Sequence, residues 1–427
     1  MKMSPTLKAY TANFACTLVG MNILLTGIWL AGALVFAEGK THQQERYYIA
    51  VHADTPAERS NAQTIGMSVE AVASDRVWGF ADQSTIHSLI ANGFQVLSKV
   101  DASVGVESFE RTFDFPSEDD AFHTYEETLE EIGALESEFP DKARAVVLGQ
   151  SLEGRELVAI HINTDTEALE TGASGKPGIV FTGAHHAREH LSTEVPLKLA
   201  RHLLESSEHP TLGPLLASRD IWIVPIVNPD GKVFDISRGR YENWRKNRRR
   251  NSNGSYGVDL NRNYGFGWGG GGASTNPNAE TYRGTHAFSE PETQTIRDFV
   301  SSLPNLKILL SFHTFSELVL YPWGYTDSPI NNRTDYQIHK TMAETMAQWN
   351  GYTPQQSSDL YIASGDTTDW SYGELGIISF TFELSPTSMW NGGFYPGARW
   401  IDRAFRDNLQ PCLYLIEYAD NPERVLN

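Results

Sequence analysis

Gly178-Ile179-Val180-Phe181-Thr182-Gly183-Ala184-His185-His186-Ala187-Arg188-Glu189 is the stretch that decides the fold. Its first five residues carry no charge and read as a buried strand. Gly183-Ala184 ends it, and Thr193 to Ser206 then repeats apolar residues at helical spacing. Working outward, Ile221 to Val227 is a second apolar strand, closed by the turn signal Asn228-Pro229-Asp230-Gly231. Ala145 to Leu148 and Glu156 to Ile162 read as paired strands around a Glu153-Gly154 turn. Ser117-Glu118-Asp119-Asp120 opens a helical stretch through Leu129, Ile132 and Leu135. Downstream, Glu290 to Ser301 is helical, Lys307 to Phe312 is strand, and Ile378 to Leu384 is a late strand. Strands alternating with helices predict an α/β fold, a mixed β-sheet flanked by helices on both faces.

A smaller α/β unit precedes it. Tyr47 to Val51, Arg76 to Phe80 and Phe94 to Leu97 are its strands, and Ser84 caps a short helix that ends at Asn92-Gly93. The polar run Asp101 to Glu110 reads as a linker. Before this unit, an apolar stretch from Phe14 to Ala37 follows Lys2 and Lys8 and ends in Val35-Phe36-Ala37. That pattern fits a secretory signal cleaved after Ala37, with an uncleaved membrane anchor as the rival. The expected division is residues 1–37 as signal, 38–112 as the small α/β domain and 113–427 as the main domain. The expected location is secreted or periplasmic, with membrane contact only through an uncleaved signal.

The chain has 53 acidic and 34 basic residues among its 427, a formal net charge of −19. This excludes a basic nucleic-acid-binding face. With only Cys16 and Cys412 there is no disulfide framework and no thiolate metal site, so a metal must sit on His, Asp and Glu. His-x-x-Glu occurs at His42/Glu45, His123/Glu126, His186/Glu189 and His202/Glu205. Such a pair alone more often marks a solvated helix face than a site. His186/Glu189 differs because it follows a buried strand, where α/β proteins place ligands. His123 is expected at the surface, and His185 and His190 in supporting roles. Arg248, Arg249 and Arg250 read as a solvated basic run. No Gly-x-Ser-x-Gly elbow or His-Glu-x-x-His is present, and the Gly172 to Lys176 segment has the wrong spacing for a phosphate loop.

Gly183 to Glu189 resembles the zinc signature of the metallocarboxypeptidases of the carboxypeptidase A/B family. Further landmarks follow in the family's order: Asn228-Pro229-Asp230-Gly231, Asn243-Trp244-Arg245-Lys246, Gly257 to Asn263, Tyr282-Arg283-Gly284, Ser311-Phe312-His313, Tyr361, Asp369-Trp370 and Thr381-Phe382-Glu383-Leu384. The resemblance covers roughly residues 114 to 427, and residues 38 to about 112 have the size and place of the family's propeptide. It implies a carboxypeptidase-like α/β/α sandwich and one Zn2+ per chain on His186, Glu189 and His313. Three protein ligands plus water is the catalytic arrangement. It further implies Glu383 as general base, Arg245 as the group that polarises the scissile carbonyl, and Asp259 as the acid that orients a ligand imidazole. Asn261, Arg262 and Tyr361 match the clamp for the substrate's C-terminal carboxylate, and Arg188 and Phe315 match positions that meet upstream substrate residues. Phe315 replaces a tyrosine often found there.

Thr368 stands where the A type is apolar and the B type carries aspartate, and Asp366 stands two residues earlier. This resembles the broad-specificity bacterial carboxypeptidase T type and implies that both hydrophobic and basic C-terminal residues are accepted. The implied partners are peptide or protein C-termini and no nucleic acid; a monomer is expected. Acidic loops could take calcium, though nothing in the sequence fixes such a site. The propeptide-like part is expected to cover the site until cut, with Lys99 and Arg111 as candidate cleavage residues. Competing readings are a non-catalytic peptide-binding relative and a zinc amidohydrolase acting on cell-wall peptides.

Overall fold

The computed structural model describes residues 46–102, 114–237 and 239–427. The signal segment, Cys16, His42 and Arg111 lie outside the described residues. In the N-terminal part, β1 (Arg46–His52), α1 (Pro56–Ile65), β2 (Ser68–Val72), β3 (Arg76–Asp82), α2 (Gln83–Ala91) and β4 (Val96–Asp101) follow one another. The strands form an antiparallel sheet in the order β2-β3-β1-β4. Ala62 of α1 and Ile86 and Leu89 of α2 pack on Ile49, Val51 and Val77 of the sheet. The sequence reading does not anticipate α1 or β2. Helix α1 has little apolar periodicity; Thr55 and Glu58 form a reciprocal capping box with Pro56 in the first turn, and this starts the helix. Asp82, not Ser84, caps α2: its Oδ1 accepts the Thr85 N–H at 2.6 Å. Lys99 lies within β4, paired opposite Ile49, which leaves its backbone poorly presented to a protease.

The rest of the chain begins with α3 (Tyr125–Glu138), β5 (Ala143–Gln150), β6 (Glu156–Ile162), α4 (Thr166–Thr171), β7 (Gly178–Thr182), α5 (Leu191–Glu205), α6 (Leu212–Ala217), β8 (Asp220–Val224) and α7 (Pro229–Asp235). After a long irregular stretch come α8 (Pro291–Ser301), β9 (Leu306–Thr314), β10 (Leu318–Tyr321), α9 (Arg333–Asn350), β11 (Thr353–Gln356), α10 (Thr367–Leu375), β12 (Ile378–Leu384) and α11 (Ile401–Tyr418). The helix expected to open at Ser117 starts later. Ser117–Asp119 is a single 3-10 turn, and Thr124 and Glu127 cap α3 reciprocally. Asp119 instead accepts the Tyr241 hydroxyl at 2.6 Å and the Ala398 N–H at 2.8 Å, a tertiary use that holds it outside the helix.

Eight strands form one mixed sheet in the order β11-β10-β12-β9-β7-β8-β6-β5. β9 is parallel to both β7 and β12, whereas β5/β6, β6/β8 and β10/β12 are antiparallel. Alternate residues serve opposite faces, as the period of two requires. Ile179, Phe181, Ile308, Leu310, Phe312, Phe380 and Phe382 meet α5, α9 and α11 on one face. Val180, Trp222, Val224 and Leu309 meet Ile296 and Phe299 of α8 and Trp370 of α10 on the other. This is the expected mixed sheet between helical layers. Cys412 is a buried thiol in the first of these layers.

Candidate metal centre and substrate cleft

The loop between β7 and α5 carries His186 and Glu189. It turns so tightly that a Cβ on Gly183 would lie 2.0 Å from the Ser192 carbonyl oxygen, so only glycine fits there. Asn228 braces the loop from outside. Its Nδ2 donates to the carbonyls of His185 and Lys246, both at 3.1 Å, and its Oδ1 caps α7. The segment read from sequence as a turn is therefore also the strut between the His186 loop and the Arg245 segment.

His186, Glu189 and His313 converge, all buried. Glu189 Oε1 lies 2.7 Å from His186 Nδ1, its Oε2 lies 3.0 Å from His313 Nδ1, and the two imidazole nitrogens are 3.2 Å apart. Burial alone would raise the Glu189 carboxyl, but His186 and His313 outweigh it and hold the group below its ordinary range. Burial pushes His313 down, toward the neutral imidazole a metal requires. Two imidazole lone pairs this close repel unless a proton or a cation lies between them; one zinc ion would satisfy both and the carboxylate together. On its far side, His186 Nε2 lies 3.1 Å from Asp259 Oδ1, a contact that leaves Nδ1 free to face the cluster. His185, by contrast, contacts Tyr264 and Thr367 and takes no part.

Asp259 also accepts from Arg245, 3.0 Å from both Nε and one terminal nitrogen. Burial opposes the Asp259 charge, yet Arg245, His186 and Arg262 together outweigh it and the carboxyl is held far below normal. Leu260–Arg262 forms a 3-10 turn capped by Asp259, which brings Asn261 and Arg262 to the cleft. Asn261 Oδ1 is held by the Thr367 N–H at 3.0 Å and hydroxyl at 2.9 Å. Arg245, Asn261, Arg262, Tyr361, Asp366 and Thr368 line the same cavity as His186, Glu189 and Glu383.

Glu383 is placed by sheet register. On parallel strands β12 and β9 it pairs opposite His313, and both residues alternate out of the layer built by Phe312 and Phe382. Burial, then Glu189 and Glu70, push the Glu383 carboxyl well above its ordinary range. Asp366 is buried and caps α10, its Oδ1 accepting the Asp369 N–H at 2.7 Å and the Thr368 hydroxyl at 3.0 Å. Burial raises its carboxyl, and its neighbour Asp369 is raised both by burial and by Asp366.

Two surface expectations need correction. Arg248 is only half-exposed: its guanidinium lies over Phe234, Trp244 and Tyr256, at 3.5, 4.6 and 4.9 Å from their centroids. Arg249 pairs with buried Glu290 at 2.8 Å. His123 is half-buried, its Nδ1 2.8 Å from the fully buried Glu194. In both cases long-range partners supply the burial, and spacing along the chain cannot reveal them.

The cleft holds two residues that motif reading misses because they belong to the N-terminal part. Glu70 Oε1 on β2 lies 3.0 Å from Arg188 and 3.9 Å from Arg245. Gln63 Oε1 on α1 accepts from Arg262 at 3.2 Å. With Glu70 among its lining residues, the cavity holds about 60 Å³ of water-accessible space, room for a few waters.

Comparison with known proteins agrees with this geometry. The zinc carboxypeptidase family model matches residues 128–411. A zinc carboxypeptidase of Saccharothrix mutabilis subsp. capreolus is 32% identical over 400 residues, covering 90% of this chain and 91% of the relative. Carboxypeptidase A1 of Bos taurus is 35% identical over 306 residues, 70% of each chain. Among solved structures, carboxypeptidase A from Helicoverpa armigera superimposes with a TM-score of 0.70 at 26% identity, covering 88% of this chain and 97% of that one. The chain belongs to the zinc carboxypeptidase family. It is a metallocarboxypeptidase, a hydrolase acting on peptide C-termini, and the His186-Glu189-His313 cluster is compatible with the zinc the family implies.

Proposed function

We propose that this protein is exported as a latent zinc carboxypeptidase, that the N-terminal part keeps it inactive, and that the released enzyme accepts both hydrophobic and basic C-terminal residues. The contacts of Glu70 and Gln63 with the cleft arginines carry this reading. Among the described residues no helix is long and apolar enough to cross a membrane; export rests on the signal-like segment of the sequence.

His186, Glu189 and His313 would hold the zinc. Bound zinc supplies Lewis acidity, activating water and polarising a carbonyl. Glu383 takes the proton of the attacking water and returns it to the leaving amine, a task suited to a carboxyl with a raised pKa. Arg245, kept charged against the effect of burial by Asp259 and Glu189 of the main part, donates to the carbonyl oxygen as charge develops on it. Asn261, Arg262 and Tyr361 bind the terminal carboxylate; burial lifts the Tyr361 phenol to about 12, so it remains a donor. Arg188 faces the upstream residues.

The test is release of free amino acids from blocked dipeptides, before and after limited proteolysis of the full chain, with and without a zinc chelator. Release is expected only after processing and only without chelator. Equal rates before and after processing would remove latency, and no release from the zinc-loaded, processed chain would favour a peptide-binding protein.

Side-chain preference is tested at Asp366. Asn keeps an N-cap acceptor, so Asp366→Asn removes the charge without uncapping α10. Hydrolysis of substrates ending in Arg or Lys should fall much more than that of substrates ending in Phe or Leu. Because burial raises the Asp366 carboxyl, the preference for basic residues should fade on acidification at a pH above the usual Asp range. Equal loss on both substrate classes would sink the assignment.

A further inference from the structure

Four buried charges form an unbroken row across the two parts of the chain. Arg46 Nε lies 2.8 Å from Glu280 Oε1, Glu280 Oε2 lies 3.2 Å from Arg188, and Arg188 lies 3.0 Å from Glu70. Each part supplies one cation, Arg46 or Arg188, and one anion, Glu70 or Glu280. Their side chains are at most 8% exposed, so each charge depends on its partner. Arg46 also donates to the carbonyls of Glu242 and Asn243, at 3.3 and 2.8 Å, and lies 4.5 Å over the Trp244 ring. It thereby grips the segment that leads into Arg245. Burial opposes the Glu280 charge, but Arg46 and Arg188 together keep the group ionised.

When the N-terminal part leaves, Arg46 and Glu70 leave together. The row loses one charge of each sign, and Arg188–Glu280 remains as a neutral pair. On the main part Arg188 also meets the Asn243 amide oxygen at 3.4 Å and lies 4.3 Å over the Phe394 ring, but Glu280 is its one anionic partner there. We infer that Glu280 is a positioning residue shared by both states: it anchors the N-terminal part through Arg46 and, after processing, holds Arg188 toward the upstream residues of a bound peptide. This rests on the latent-carboxypeptidase reading above.

The experiment compares wild type, Arg46→Gln and Glu280→Gln, each as full chain and after limited proteolysis, on a blocked dipeptide and on a tetrapeptide. Arg46→Gln should raise full-chain activity at least roughly ten-fold, because it leaves buried Glu280 with only Arg188, which Glu70 also engages. The processed Arg46→Gln enzyme should match wild type, since residue 46 has been removed. Glu280→Gln should raise full-chain activity as well, and after processing should raise KM for the tetrapeptide at least roughly ten-fold with kcat and dipeptide turnover close to wild type. A processed Glu280→Gln enzyme with wild-type tetrapeptide KM, or with equal loss on both substrates, overturns the inference. So does unchanged latency in both variants. Wild type reports separately on the parent reading: no turnover after processing overturns the carboxypeptidase assignment, and equal turnover before processing overturns latency.

Discussion

Glu383→Gln in the processed enzyme is expected to lower kcat by roughly 100- to 10,000-fold, the range that general acid–base catalysis contributes. The side chains are nearly isosteric, so the change isolates the proton. Glutamine can still accept a hydrogen bond, but it cannot take a proton from water and pass it to an amine. Zinc content should stay at one per chain, because the cluster of His186, Glu189 and His313 does not include residue 383. KM should change little. The pH profile gives a second reading. Burial first, and then the neighbouring Glu189 that stays after processing, raise the Glu383 pKa, so protonation removes the base at a pH where an ordinary glutamate, near 4.3, is still ionised. The acid limb of the wild-type profile should therefore lie above the usual glutamate range. It should be missing from the residual activity of the glutamine variant. A variant that keeps a tenth or more of wild-type kcat would mean that the proton travels by another route.

The residues most legible in the sequence are those whose neighbours are also close along the chain. His186 and Glu189 stand three apart after a buried strand, and the fold brings them within 2.7 Å. His313 and Glu383 lie on strands recognisable by their apolar runs, and register alone sets them opposite one another. Asp366 is legible in type but not in full. The motif marks it as a pocket residue, whereas only the structure adds that its Oδ1 caps α10. Other features depend on contacts far apart in sequence. Arg248 resembles a surface arginine until Phe234 and Tyr256 enclose it. Glu70 and Glu280 carry no motif, and their meaning arises only where the small sheet meets the cleft. Helix α1 escapes hydrophobic-pattern reading because much of its docking is polar: Ser60, Gln63 and Thr64 bond to Ile362, Thr281, Arg262 and Gly272. The fold itself was readable because burial writes a period into strands and helices, while an interface made of hydrogen bonds and paired charges leaves no period.

Arg262 provides the second large effect, and it addresses exopeptidase character directly. Its guanidinium is oriented by the carbonyls of Gly272 at 3.2 Å and Asn261 at 2.7 Å, and its remaining terminal nitrogen is the one that Gln63 occupies. Removing the N-terminal part would free that nitrogen for a substrate carboxylate. Deleting one member of a buried charge pair costs about 2–5 kcal/mol. Arg262→Ala in the processed enzyme should accordingly lower kcat/KM on a blocked dipeptide acid by roughly 30- to 4,000-fold. The loss should be far smaller on the matching dipeptide amide, which has no carboxylate to bind. Wild type should strongly prefer the acid, and the variant should lose most of that preference. Because acid and amide are compared on one protein preparation, partial unfolding lowers both rates and leaves their ratio unchanged. Arg262→Lys keeps the charge but not the planar fork, and an intermediate ratio is expected. An acid-to-amide ratio that survives Arg262→Ala would place carboxylate recognition elsewhere. A wild-type enzyme that hydrolyses amide and acid equally well would point instead to an amidohydrolase.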